Sequence, residues 1–142
     1  MQIQILLDHY ERPRHRGALE DADVEMPGGN PGCGDVVTVY LKGAGDHEHI
    51  EGVSYEGEGC TISQAGGSII SEMAPGMTLS EVKALGIPTM VEEMGDDIVK
   101  SRVRCATLAL GTVQAAVDIC RRDRDRAAAG LPPVGSGAGF TV

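Results

Sequence analysis

The sequence predicts an α+β fold in which a small three-stranded antiparallel sheet is packed against helices. Residues 35–43 and 48–57 alternate in β-branched and aromatic residues on either side of the turn "GAGD", as expected for an antiparallel pair of strands. A further short strand is predicted over residues 22–26. After the second strong strand, from about residue 60, the apolar positions change to helical spacing, so helices follow the sheet along the chain.

Size and charge limit the kind of protein that this chain encodes. Its 142 residues are enough for one domain whose core needs no disulfide bonds. The 12 Lys and Arg against 21 Asp and Glu give a formal net charge of −9, which argues against nucleic acid or an anionic membrane surface as the principal partner. No apolar run approaches the ~20 residues of a membrane span, and the start lacks the features of a signal peptide. We therefore expect a cytoplasmic protein.

The first elements surround a basic turn and a glycine-rich loop. A helix is predicted over residues 3–11 and ends before Pro13. The turn "RPRHRG" is either a solvated helix end or a docking point for a partner, and the pattern does not decide between them. The segment "PGGNPGCGD" then predicts a loop that carries Cys33 at its tip, because glycine leaves room for a close approach to a sulfur or a metal.

Helices are predicted for most of the second half of the chain. One begins at Cys60 and ends at Gly76, and two short helices follow over residues 78–86 and 88–95. A long final helix begins near Cys105 and becomes charged at its end. We therefore predict a folded domain over residues 1–126 and a flexible C-terminal tail over residues 127–142.

Three cysteines and one carboxylate form the candidate site. Cys60 and Cys105 lie at the predicted starts of helices, where free N–H groups and the helix dipole favour a thiolate. Asp35 lies two positions after Cys33, so both side chains share one face of an extended segment. Three thiolates and one carboxylate would fill a tetrahedral zinc site or hold an iron-sulfur cluster with an unusual oxygen ligand. The alternatives are thiols that act as small buried hydrophobes, and a turn role for Asp35.

The other candidate ligands are interpreted as structural. Cys120 lies inside the predicted final helix next to Ile119, which is typical of a buried thiol. His47 and His49 lie at the predicted hairpin turn, far in sequence from every cysteine, and are interpreted as exposed turn residues.

The motifs resemble those of a known family. "NPGCGD", "GEGCTIS" and "RCATLA", in this order, are similar to the cysteine motifs of the U-type iron-sulfur cluster assembly scaffold family, which comprises IscU, SufU and the N-terminal part of NifU. The opening "LLDHYERPRHRGAL" resembles the first helix and basic turn of that family, so the resemblance covers about residues 4–122. It implies the same fold of a three-stranded sheet with packed helices. It also implies that Cys33, Asp35, Cys60 and Cys105 are the ligands, with Asp35 tuning the lability of a cluster or completing a zinc site.

Two functions are implied by this resemblance. The first is a scaffold, a carrier more than an enzyme, that builds a [2Fe-2S] cluster from sulfur supplied by a cysteine desulfurase and transfers it to apo iron-sulfur proteins, with a homo-oligomer as one expected cluster-bound form. The second is a zinc-dependent sulfurtransferase, for which Cys105 and Cys33 are the candidate sulfur acceptors. A structural zinc domain is a third interpretation, but such sites favour Cys and His ligands and do not explain Asp35.

The chain departs from both branches of the family. In the IscU branch a histidine usually precedes the third cysteine, whereas this chain has Arg104, as the SufU branch does. The SufU branch typically carries an insertion between the second and third cysteines, and the 44 residues between Cys60 and Cys105 leave no room for it. The missing insertion and Asp35 favour the scaffold. Arg104 is interpreted either as a surface charge at a helix start or as a group that stabilises an anion at the site.

Overall fold

The computed structural model describes residues 2–32, 34–46, 48–136 and 139–141. It confirms the α+β fold, with a small sheet and helices packed against it. In chain order the elements are α1 (Gln2–Glu11), β1 (Val24–Asn30), β2 (Asp35–Gly43), β3 (Ile50–Glu58), α2 (Thr61–Met73), α3 (Leu79–Ala84), α4 (Ile87–Met94), α5 (Asp96–Ser101), α6 (Val103–Ala128) and β4 (Phe140–Thr141). The elements α5 and β4 were not expected from the sequence.

The sheet of the described residues has four strands, not the expected three, in the order β3-β2-β1-β4. The pairs β1–β2 and β2–β3 are antiparallel, as predicted, and β4 pairs in parallel with the outer edge of β1. The fourth strand comes from the segment after α6, for which the sequence predicts flexibility. Its many small residues carry no strand pattern, but its backbone lies beside the edge of β1, where it can pair with backbone groups of that strand.

The strand β1 extends further than its sequence suggests. It continues from the predicted 22–26 region through Pro27, Gly28 and Gly29, so the glycine-rich loop is reduced to residues 31–34. A Cβ atom on Gly28 would lie 2.1 Å from Oγ1 of Thr112 in α6. Gly28 therefore lets the helix approach the sheet closely, and this glycine serves packing inside a strand.

The core lies between the sheet and two helices. The helix α6 packs against β1, β2 and α2, and α2 packs in turn against β3 and α1. By length and composition α6 is the single described helix that could cross a membrane, but 56% of its most apolar window is buried inside the protein. We therefore describe α6 as the central helix of the core.

The close contact between α2 and the sheet supports a stability prediction with a matched control. A Cβ atom on Gly67 would lie 2.6 Å from the ring of Tyr55, whereas one on the neighbouring Gly66 would make an ordinary 3.5 Å contact with Met94. We expect Gly67→Ala to lower the free energy of unfolding by about 1–3 kcal/mol through overpacking. Gly66→Ala is expected to be neutral or to stabilise by about 0.5–1 kcal/mol, because alanine favours the helix. Urea unfolding of both variants checks this, and equal effects would contradict the described packing.

The basic turn after α1 is partly neutralised within the chain. The Arg14 side chain forms ion pairs with Asp8 and Glu72, at 2.5 and 3.1 Å. The backbone N–H of Arg14 donates to Ser68 in α2, and the ring of His9 shares a hydrogen bond with the same hydroxyl. Burial lowers the pKa of His9, and the charge of Arg14 acts in the same direction. This arginine therefore connects α1 to α2.

Candidate metal centre

Three of the four predicted site residues are described, and they converge. Asp35 begins β2, Cys60 is the N-cap of α2, and Cys105 lies in the first turn of α6. One ligand atom from each, the two thiol sulfurs and a carboxylate oxygen, all lie within 4.8 Å of one another. The fold therefore brings together residues that are up to 70 positions apart in the sequence.

Asp35 is held inside this group. Its side chain is buried, at 3% exposure, and Oδ1 accepts a hydrogen bond from the backbone N–H of Cys60 at 2.9 Å. The thiol of Cys60 lies 3.7 Å from Oδ2. The carboxylate thus accepts a hydrogen bond from one of the free backbone N–H groups at the start of α2, and it also lies next to the thiol of Cys60.

Gly59 leaves the space that the side chain of Asp35 occupies. The sequence analysis did not predict this role for Gly59. A Cβ atom at this position would lie 2.3 Å from Oδ1 of Asp35 and 2.7 Å from Oγ of Ser63. Any other residue would displace the carboxylate or the hydroxyl. The signal in the sequence is the glycine directly before the cysteine in "GEGC".

Cys60 lies where the sequence predicts it, directly before the first turn of α2. Its backbone is extended, with φ −72° and ψ 166°, and its side chain is partly exposed. The hydroxyl of Ser63 donates to the carbonyl of Cys60 at 3.0 Å and lies 3.7 Å from its sulfur. The sulfur of Cys60 therefore lies close to both Asp35 and Ser63, at the N-terminal end of α2.

Cys105 is the third residue of α6 and is buried, at 4% exposure. The side-chain amide of Asn30 donates towards its sulfur, with a distance of 3.9 Å between Nδ2 and Sγ. The carbonyl oxygen of the same amide accepts from the backbone N–H of Gly32 at 3.3 Å. Asn30, which the sequence reasoning also missed, therefore joins the loop at 31–34 to Cys105. Its only signal is its place at the start of "NPGCGD".

Cys33 lies outside the described residues, and its role as a ligand stays a prediction. The backbone that flanks it is described. Gly34 has φ +76° and donates its N–H to the carbonyl of Asn30 at 2.9 Å, and Asp35 follows directly. The exposed guanidinium of Arg104 lies over the same loop, with one nitrogen 3.8 Å from the position of a Cβ atom on Gly32.

The residues interpreted as structural lie elsewhere. The sulfur of Cys120 lies 3.6 Å from the position of a Cβ atom on Gly43, at the opposite end of β2 from Asp35, and burial raises the pKa of this thiol. It lines a cavity of about 610 Å³. His49 pairs with Asp46 in the hairpin turn, and His47 lies outside the described residues.

The chemistry of the described donors fits a thiophilic metal. Zn²⁺ takes thiolates and carboxylates at four positions, and iron-sulfur clusters are held mainly by thiolates. Asp35, Cys60 and Cys105 supply three donors at the close spacing that a single metal centre requires. The cradle formed by Gly59 places the carboxylate among the thiols and away from solvent. These residues therefore form a potential metal site.

Known proteins are similar to this chain in sequence. The sequence profile of the NifU-like N terminal domain family matches residues 2–126. The chain is 33% identical over 112 residues to the iron-sulfur cluster assembly scaffold protein IscU 1 of Archaeoglobus fulgidus, which covers 79% of this chain and 71% of that protein. It is 32% identical over 123 residues to the zinc-dependent sulfurtransferase SufU of Bacillus subtilis, which covers 75% of this chain and 82% of that protein.

Solved structures show the same fold. The iron-sulfur cluster assembly scaffold protein for the SUF system from Fervidobacterium islandicum aligns with a TM-score of 0.67 and 28% identity, over 80% of this chain and 94% of that one. The N-terminal part of a NifU-like protein from Brucella abortus aligns with a TM-score of 0.71 and 22% identity, over 85% and 96% of the two chains, and supports the fold alone. The profile match, the relatives and the converging cysteine motifs agree, and the chain belongs to the NifU-like N-terminal domain family.

Proposed function

We propose that this protein is an iron-sulfur cluster assembly scaffold, which holds a nascent [2Fe-2S] cluster on Cys33, Asp35, Cys60 and Cys105 and passes it to apo-proteins. The observation that carries the proposal is the convergence of a buried carboxylate and two thiols within 4.8 Å. In this function iron and sulfide are cargo. A site that must release its cargo needs ligands of unequal strength.

Asp35 supplies that inequality. A carboxylate is a harder ligand than a thiolate, so it holds iron in a sulfur-rich cluster less tightly than a fourth cysteine would. The hydrogen bond from the Cys60 N–H and the space left by Gly59 keep the carboxylate at the site without cargo. The donor set is therefore pre-organised for binding, and its weakest ligand for iron, the carboxylate of Asp35, is buried beside the stronger thiol ligands.

The sulfur partner in this function is a cysteine desulfurase. A thiolate of Cys105 or Cys33 attacks the outer sulfur of the desulfurase persulfide, the S–S bond breaks, and the desulfurase leaves as a thiolate while the acceptor becomes the persulfide. A thiol reductant then supplies the electrons that convert this sulfur to sulfide. Because Cys105 is 4% exposed, its use as an acceptor requires the side chain of Asn30, whose amide lies 3.9 Å from its sulfur, to move.

A zinc-dependent sulfurtransferase is the second candidate, with Zn²⁺ on the same ligands. It is supported by the 32% identity to SufU and by the position of Arg104 over the loop at Gly32. The scaffold is favoured by the link of 44 residues between Cys60 and Cys105, which leaves no room for the insertion that the SufU branch typically carries, and by the carboxylate of Asp35 that is buried beside the thiols.

Anaerobic reconstitution separates the two candidates. The protein is incubated with Fe²⁺, cysteine, a cysteine desulfurase and a thiol reductant, and then mixed with an apo-ferredoxin. We expect a visible absorption spectrum of a [2Fe-2S] cluster, a change in oligomeric state on gel filtration, and transfer to the acceptor. Binding of zinc alone, together with a rise in sulfide production by the desulfurase, would contradict the scaffold and support the sulfurtransferase.

A further inference from the structure

The segment after α6 is attached to the rest of the fold at several points. We call its described residues, 131–136 and 139–141, the C-terminal strap. The carboxylate of Asp123 in α6 accepts the backbone N–H groups of Val134 and Gly135, at 2.5 and 2.8 Å. The side chain of Arg126 donates to the carbonyl of Pro132 at 2.7 Å. The strap begins, therefore, with side-chain anchors from the end of α6.

The strap then follows β1 towards the metal site. The carbonyl of Gly135 accepts from the N–H of Glu25 at 2.9 Å, and further along Phe140 pairs with Gly28 and Thr141 with Gly29. Glycines in a strand interior have no side chains to pack and weaken it. The strap supplies this part of β1 with a second hydrogen-bonded neighbour.

Phe140 holds the far end of the strap in place. It is the single phenylalanine of the chain, it is half-buried, and its ring lies on Gly111 of α6. A Cβ atom on Gly111 would lie 2.2 Å from the ring. The next residue, Thr112, is the one that packs on Gly28. The strap, β1 and α6 therefore meet at one point.

This point is near residues of the site along both β1 and α6. Gly29, the partner of Thr141, precedes Asn30, whose amide lies over the sulfur of Cys105. Cys105 itself lies six residues before Gly111 on α6. The strap thus contacts both the strand that carries Asn30 and the helix that carries Cys105.

We propose that Phe140 is a positioning residue for Cys105. Seated on Gly111, it keeps the strap on β1 and so keeps Asn30 over the thiol, and release of the strap opens access to Cys105. The family match covers residues 2–126, so Phe140 lies outside the matched part of the chain, whereas its contact Gly111 and the site residue Asn30 lie within it. The proposal rests on the proposed function for the use that is made of Cys105, but its test requires no cargo.

The test measures the alkylation of each cysteine in the metal-free, reduced, full-length protein. Iodoacetamide is added without oxygen, and the labelling of Cys105 and Cys60 is followed by mass spectrometry. We expect Phe140→Ala to raise the rate at Cys105 by about tenfold, since local opening governs access to a buried group, and to leave the rate at the partly exposed Cys60 nearly unchanged. Phe140→Leu, which keeps an apolar side chain on Gly111, should restore most of the protection.

A second variant displaces the strap from α6 but keeps the side chain of Phe140. Gly111→Ala favours the helix but places a methyl group where the ring of Phe140 lies, so it should also expose Cys105. The double variant should be alkylated no faster than Phe140→Ala, because the two changes act on one contact. Val82→Ala, a fully buried change in α3, is the control for a general loss of stability.

Two results would overturn the proposal. One is an unchanged rate of Cys105 alkylation in both Phe140→Ala and Gly111→Ala. The other is a rise in the rate of Cys105 alkylation in Val82→Ala as large as that in Phe140→Ala. Neither bears on whether the wild-type protein assembles a cluster. Conversely, failed reconstitution would remove the proposed function and leave the alkylation result standing.

Discussion

Replacement of Cys105 by alanine is expected to abolish the binding of a cluster and of zinc, whereas Cys120→Ala is expected to leave both unchanged. The sulfur of Cys105 belongs to the group of donors within 4.8 Å, while Cys120 lies further along the same helix, at the other end of the sheet. The loss at Cys105 should exceed the roughly 10–100-fold that removal of an outer-shell partner costs, because a ligand itself is removed. Cys60→Ala should act like Cys105→Ala.

The comparison is made with metal analysis and absorption spectra after anaerobic loading. Urea unfolding of the metal-free variants shows whether both cysteine substitutions on α6 are tolerated by the fold. A Cys105→Ala protein that binds cargo as tightly as the wild type, or a Cys120→Ala protein that loses it, would show that the described donors are not the site.

Asp35→Ala is expected to have the opposite effect on the cluster from Cys105→Ala, because it should prolong the lifetime of the cluster. If the carboxylate is the weak ligand that lets cargo leave, its removal should make the reconstituted cluster several-fold longer-lived and slower to transfer. The structure adds a second consequence, because Oδ1 of Asp35 accepts the N–H of Cys60. Without an acceptor, this part-buried donor should cost about 1–3 kcal/mol of stability. Asp35→Asn keeps an acceptor oxygen and removes the charge, so it should share the longer lifetime with a smaller loss of stability.

The measurements are the half-life of the cluster in air, its rate of transfer to an apo-ferredoxin, and the free energy of unfolding of the metal-free protein. Wild type, Asp35→Ala and Asp35→Asn are compared side by side. A shorter or unchanged half-life of the cluster in both variants would contradict a role of Asp35 in cluster release and leave only its hydrogen bond to the backbone of Cys60.

Local patterns in the sequence predicted the elements that carry the site. The alternation over residues 35–43 appears as β2, the change to helical spacing appears as α2, and Cys60 is the N-cap of that helix. These features depend on neighbours within a few positions, where strand and helix periods can be recognised. The approach of Asp35 to Cys60 and Cys105 was expected from the resemblance to a family, since spacing alone does not bring together residues so far apart.

Residues that act through distant contacts were missed. Asn30 matters because its amide reaches Cys105, and Gly59 because it leaves room for Asp35. The signal for each in the sequence is only its place beside a cysteine motif, which does not indicate such a role. Asparagine and glycine next to proline and cysteine read as turn residues, and only the packing of α2 and α6 gives them partners.

The sequence by itself determined the fold class, the order of the main elements and which thiols lie at helix starts, because these follow from local periodicity and composition. The tertiary structure decided the rest. The "PGG" stretch is part of a strand because Gly28 leaves room there for Thr112 of α6. The C-terminal residues pair with β1 because the ring of Phe140 fits on Gly111. Both outcomes depend on the space between surfaces that the chain brings together only when it folds, and no local propensity contains that information.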